Sequence, residues 1–109
     1  MHELALTDGV VQMVRERLGD RRVTRVRLEV GRLTAVVPDA MRFCFDVCSR
    51  GTPLDGATLQ IDEVPARIRC ARCGGETQLD DAIALCPCGS AEVEVIAGNE
   101  LRILEVEVT

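Results

Sequence analysis

Leu6, Val10, Val14 and Leu18 recur every four residues, with Val11 beside them, and polar side chains fill most of the intervening positions. This is the apolar stripe of an amphipathic helix, and it predicts one from about residue 5 to residue 18, closed by Gly19. The period then changes to two. Val26, Leu28 and Val30 alternate with Arg25, Arg27 and Glu29, which predicts a strand over 23–30 with one apolar and one charged face. A short connection leads to Pro38 and Asp39, both suited to a helix start, and to a wide apolar face made of Ala40, Met41, Cys44, Phe45, Val47 and Cys48. Residues 57–64 read as a second strand with Leu59 and Ile61 inward. Residues 101–108 read as a third, with Leu104, Val106 and Val108 inward and Glu105 and Glu107 outward.

A strand, a helix and a further strand favour a right-handed crossover between parallel strands. The expected fold is therefore α/β: a two-layer unit of a three-stranded mixed sheet with two helices, plus an inserted zinc-binding subdomain. The unit takes residues 1–64 and 100–109; the insertion takes 65–99. On the charged face, Arg25 and Arg27 are placed to pair with Glu105 and Glu107.

Composition narrows the chemistry. The chain has 109 residues, 47% of them hydrophobic, with two Phe and neither Tyr nor Trp, so its core must be aliphatic. No apolar run is long enough to cross a membrane, and the N-terminus lacks the basic and apolar regions of a secretory signal; a cytoplasmic protein is expected. The net charge is −5, and all 13 basic residues are Arg. An acidic chain without aromatic stacking platforms is a poor nucleic-acid partner. The single histidine, His2, leaves no ordinary catalytic dyad or triad, and an enzyme is not expected.

The insertion holds Cys70-Ala71-Arg72-Cys73, then twelve residues, then Cys86-Pro87-Cys88. Two cysteine pairs on two turns supply four thiolates to a tetrahedral ion, and four protein ligands leave no open position, so a structural zinc is expected. The insertion has few apolar residues, and metal binding would supply much of its folding free energy. Arg69 and Arg72 lie close enough to offset the surplus charge. A redox dithiol or unligated cysteines are the competing readings. Cys44 and Cys48, one turn apart on a helix, share a face that could chelate a metal, but they fall on the side assigned to the core, where free cysteine behaves as a small hydrophobe.

His2 has a chemical consequence at the chain start. The Met1 amine, the His2 amide nitrogen and imidazole, and the Glu3 amide nitrogen can form a four-nitrogen plane, which suits Ni(II) or Cu(II). From spacing alone, an exposed histidine on a frayed terminus is the simpler reading.

Several stretches together resemble the HypA/HybF family. They are Met1-His2-Glu3-Leu4 opening a helix, the run Arg22–Gly31, the run Val37–Asp46, Gly51-Thr52, the cysteine-paired insertion, and Gly98-Asn99-Glu100-Leu101-Arg102 before an acidic last strand. The resemblance covers essentially the whole chain. It implies a nickel metallochaperone for [NiFe]-hydrogenase assembly, with nickel as cargo at Met1, His2 and Glu3, and structural zinc at Cys70, Cys73, Cys86 and Cys88. It also implies two partners, a HypB-type GTPase and the hydrogenase large subunit. The family's second knuckle usually reads Cys-Pro-x-Cys-Gly; here Cys86-Pro87-Cys88-Gly89 is one residue shorter. The alternative reading is a zinc-ribbon interaction module with no nickel role.

Overall fold

The computed structural model describes residues 2–79 and 84–109, so Met1, expected as a nickel ligand, lies outside the described residues. The elements run α1 (His2–Leu18), β1 (Val23–Gly31), a single 3-10 turn (Arg32–Thr34), α2 (Pro38–Ser49), β2 (Thr58–Val64), β3 (Ala66–Cys70), β4 (Glu76–Leu79), β5 (Val93–Ala97) and β6 (Leu101–Val108). They form two sheets of three strands, ordered β2-β1-β6 and β4-β3-β5. The chain divides into two units. The first holds Met1–Leu28, Val36–Asp62 and Arg102–Thr109; the second holds Glu29–Ala35 and Glu63–Leu101.

The first unit has the α/β character that the alternation predicts. The β2-β1-β6 sheet is mixed. Side-chain partners on β1 and β2 advance together, Arg25 with Gln60 and Arg27 with Asp62, which marks a parallel pair. Thr24 bonds to the Glu107 carbonyl, whereas the Gly31 amide bonds to the Glu100 carbonyl, so β1 and β6 run in opposite directions. The buried side chains are Val10, Val11 and Val14 of α1, Val23, Val26 and Leu28 of β1, and Met41 and Phe45 of α2, joined by Leu54, Ala57 and Leu59. Burying a side chain of this size contributes roughly 1.5–3 kcal/mol, which makes this aliphatic core the main source of the unit's stability.

Three sequence expectations change in detail. Helix α1 begins at His2, three residues earlier than the apolar stripe indicates. Leu104 is exposed, not inward: Leu101 and Ile103 are half-buried, Leu104 and Glu105 are both exposed, and Val106 and Val108 are half-buried again. The alternation of β6 thus changes phase, and a period counted back from Val108 misplaces Leu104. On the charged face, Arg25 does pair with both Glu105 and Glu107. Arg27 instead reaches Asp62 on the neighbouring β2, with 2.6 Å between Nη2 and Oδ2.

Helix α2 buries Met41, Phe45 and Ser49, a stripe with a four-residue spacing. Cys44 and Cys48 precede two of these residues by one position, about 100° around the helix. They are half-buried on its flank, so the expectation that places them in the core is corrected. Val47 is 40% exposed and Phe43 68% exposed, so the apolar face is narrower than the sequence suggests.

The second unit carries its own antiparallel sheet, which sequence patterning does not reveal. In β3, Ala66, Ile68 and Cys70 are buried while Arg67 and Arg69 are exposed. Ile68 lies opposite Thr77 of β4 and Val95 of β5. Among the described residues its buried apolar cluster is Ala66, Ile68 and Leu79, with Leu33, Ala84, Val93 and Val95 packed against it. Two glycines permit a close backbone approach in this unit. A Cβ on Gly31 would sit 2.2 Å from the Gly98 carbonyl carbon, and a Cβ on Gly98, which has φ +96°, would sit 2.6 Å from Ala66 Cα. Hydrogen bonds from the Gly31 amide to Glu100 O (2.8 Å) and from the Leu33 amide to Gly98 O (2.8 Å) use that proximity.

Candidate metal centre

Strand β3 delivers the first thiol directly, because Cys70 is its last residue and lies opposite Val93 of β5. The chain then turns. The Gly74 amide bonds to Cys70 O (3.0 Å), and the Cys70 amide bonds to Gly75 O (2.9 Å). Gly74 occupies the left-handed region at φ +74°, where a side chain would be strained. Within the turn the Cys73 amide points at Cys70 Sγ (3.5 Å), and the Gly75 amide points at Cys73 Sγ (3.4 Å).

The second turn repeats this arrangement with one residue fewer. The Gly89 amide bonds to Cys86 O (2.8 Å), the Cys86 amide bonds to Ser90 O (3.0 Å), and the Cys88 amide points at Cys86 Sγ (3.5 Å). Gly89, at φ +94°, supplies the reversal. Ser90 is buried, and its hydroxyl accepts the Glu92 amide.

All four sulfurs lie within 4.8 Å of one another. Cys70 Sγ is 3.7 Å from Cys88 Sγ, and Cys73 Sγ is 3.6 Å from Cys86 Sγ. A tetrahedral ion with four sulfurs at about 2.3 Å sets them about 3.8 Å apart. The donor set and its spacing therefore fit a tetrahedral thiophilic ion, and the shortened second knuckle does not prevent closure. Among the described residues this is the one group of three or more His, Cys, Asp or Glu placed to hold a metal.

The electrostatics of the thiols point the same way. The Cys73 amide, helped by that of Arg72, stabilises the Cys70 thiolate against its burial and lowers its pKa to about 6. The Cys88 amide pulls Cys86 in the same direction, but burial and the three neighbouring sulfurs outweigh it and push its thiol up to about 12. Four thiols this close cannot all ionise by themselves; a dication among them removes the conflict. Arg69 has its guanidinium 3.5 Å from Glu76, which Arg67 also approaches.

At the other candidate site, His2 opens α1 with its imidazole half exposed. Its Nδ1 stands 3.9 Å from the Glu3 carboxylate. Glu3 is buried, and its Oε2 accepts the Val37 amide at 3.3 Å. Its own backbone amide and that of Val37 lower its pKa from 4.5 to about 2. The structure thus brings the His2 and Glu3 side chains together, while Met1 lies outside the described residues. The anchoring of the Glu3 side chain is a feature the sequence reading missed. An acid in a first helical turn is its only local signal, since Val37 is 34 residues away.

Fold and thiol cluster together define a small α/β protein carrying a four-cysteine ribbon. Residues 1–108 match the family described as hydrogenase/urease nickel incorporation, metallochaperone, hypA, and the chain belongs to that HypA family. A relative from Nostoc punctiforme, named hydrogenase maturation factor HypA, is 49% identical over 108 residues, covering 99% of this chain and 96% of the relative. One from Geotalea uraniireducens with the same name is 49% identical over 109 residues, covering 99% of each chain. The solution structure of the Ni metallochaperone HypA from Helicobacter pylori shares the fold, with a TM-score of 0.66 at 18% identity, over 97% of this chain and 96% of that one. The family is thus one of metallochaperones and maturation factors, and no helix among the described residues is long and apolar enough to cross a membrane.

Proposed function

We propose that this protein binds Ni(II) at its amino terminus and delivers it, as cargo, for assembly of the [NiFe]-hydrogenase active site in the cytoplasm. The ligands are Met1, His2 and Glu3: the terminal amine, the backbone nitrogens of His2 and Glu3, and the His2 imidazole. The observation that carries this reading is an exposed imidazole at the second residue of a HypA-family chain. It stands at the start of α1, 3.9 Å from a neighbour whose carboxylate is tied to the Val37 amide. An accessible site suits a carrier, which must surrender its ion by ligand exchange. Residues 1–64 and 100–109 form the nickel-binding domain.

In residues 65–99, Cys70, Cys73, Cys86 and Cys88 hold a structural zinc. When bound, the zinc supplies a fixed cross-link between the two knuckles and takes no part in transfer. The partners in this reading are a HypB-type GTPase and the hydrogenase large subunit.

Calorimetric titration of Ni(II) into untagged protein, wild type beside His2→Ala, tests the nickel site. One equivalent bound by the wild type and lost in the variant, with the fold unchanged by circular dichroism, is the expected result. Acidification should release the ion, because protons compete for the same nitrogens. Equal binding in both proteins would reject the terminal site and leave a zinc-ribbon interaction module.

A further inference from the structure

Two of the six cysteines belong to neither site. Cys44 and Cys48 are free, half-buried and one helical turn apart on α2. Side chains at this spacing have Cβ atoms about 5–6 Å apart on the same face. A disulfide requires about 3.5–4.5 Å between Cβ atoms, so the two cannot be oxidised to each other while α2 is intact. A metal bridge is within reach. Two sulfurs on opposite sides of one ion, each at about 2.3 Å as for a zinc thiolate, stand about 4.6 Å apart.

The surroundings narrow the choice of ion. Among the described residues no further His, Cys, Asp or Glu joins this pair within ligand distance, since the four-cysteine cluster is the only group of three or more. Ions that need four or six donors are therefore poorly served. Thiolate is the soft ligand that selects Cu(I) over hard cations. Cys48 Sγ lies 3.6 Å from Thr7 Oγ1 and 4.0 Å from Leu4 O. The Thr7 hydroxyl is also within hydrogen-bond reach of the Glu3 and Leu4 carbonyls (2.9 and 3.0 Å), and it has a single proton to give. Cys48 is thus seated on a polar ledge of α1 and is not sealed among apolar side chains, while Met41 and Phe45 take the core positions beside the pair.

We infer that Cys44 and Cys48 form a two-thiolate site for one soft, low-coordinate cation, with Cu(I) as its probe, separate from the four-cysteine cluster and from the amino-terminal site. Binding exchanges thiol protons for the ion and involves no change of oxidation state when the copper is supplied as Cu(I).

The test is an anaerobic titration of the full-length protein, carrying the metal it is purified with, using Cu(I) buffered by a chromophoric chelator. Released zinc is followed with a dye, and cysteine alkylation is mapped by mass spectrometry. The first equivalent of Cu(I) is expected to bind without zinc release and to protect Cys44 and Cys48 from alkylation. Loss of an outer-shell partner already costs a metal site about 10–100-fold, so Cys44→Ala and Cys48→Ala should each weaken that first equivalent by at least about tenfold. His2→Ala should leave it unchanged, which separates this result from the fate of the nickel reading. Circular dichroism and zinc content check that the variants fold; in the wild type, the alkylation map answers the question without any variant. Zinc release by the first equivalent, Cys44 and Cys48 still alkylated at one equivalent, or wild-type affinity in a folded Cys44→Ala/Cys48→Ala variant would each overturn the site.

Discussion

The two units of this chain solve the same problem with different means. The first buries Phe45, Met41, Leu28 and Val26 almost completely and holds both helices and most of β1 and β6. The second buries Ala66, Ile68 and Leu79 around strands of four and five residues. Among the described residues, that apolar cluster is small against the entropy of ordering a segment of that length. What the second unit has in addition is four sulfurs at the spacing of a tetrahedral ion. A core is a distributed device that loses a fraction of its strength when one member is removed. A metal cluster is concentrated, and it is lost almost entirely with its ion.

The sharpest way to break this comparison is to withdraw the metal. Zinc-finger peptides gain about 10–16 kcal/mol from their ion, enough to decide whether a small unit folds. Chelation, or Cys70→Ser, should abolish amide-exchange protection in β3, β4 and β5 while α2 and Val23, Val26 and Leu28 of β1 keep theirs. Uniform loss across both units would show that they do not stand on separate supports.

Phe45→Ala tests the opposite arm. It should destabilise the first unit by about 3–5 kcal/mol, read from urea unfolding, with metal content unchanged. Gly31→Ala is smaller but acts in the second unit: the added carbon meets backbone at Gly98. A cost of about 1–3 kcal/mol is expected, appearing as faster exchange in β5 and in residues 29–35.

The smallest effect belongs to Glu3. Its folded pKa of about 2 lies below the ordinary 4.5, so its carboxylate contributes stability that is complete above pH 4.5 and disappears as the pH falls toward 2. Metal-free wild type should therefore exceed Glu3→Gln in urea midpoint at pH 6, with the gap closing between pH 4.5 and 2. A gap that does not vary with pH would remove the carboxylate from the account.

Much of this architecture was legible because period and chemistry agree. Val26, Leu28 and Val30 are buried as their alternation requires, and Pro38 opens α2. The cysteine spacing singled out the four thiols whose sulfurs the fold brings within 4.8 Å of one another. The failures share a cause. Leu104 depends on a phase change inside β6, which no local pattern announces. Cys44 and Cys48 sit at the edge of a helical stripe, where a 3.6 period leaves the choice between core and flank open. Strand β4 reads Glu-Thr-Gln-Leu, with a single apolar residue, and exists because Ile68 and Arg69 of β3 pair with it. The Glu3 carboxylate is fixed by an amide 34 residues away. Each depends on a tertiary neighbour, and a single sequence does not display tertiary neighbours.

Cys70 and Cys86 are buried, whereas Cys73 and Cys88 are exposed. The pairing across the cluster therefore sets the order in which an ion held there would be lost. Cys73 and Cys88, one sulfur from each knuckle, would be the ones a competing ligand reaches from the water side. The buried Cys70 and Cys86, also one from each knuckle, would keep the first turn tied to the second after both exposed sulfurs were displaced. Exchange would proceed stepwise through a bridged intermediate, and the unit's lifetime would be governed by the slower departure of the inner pair.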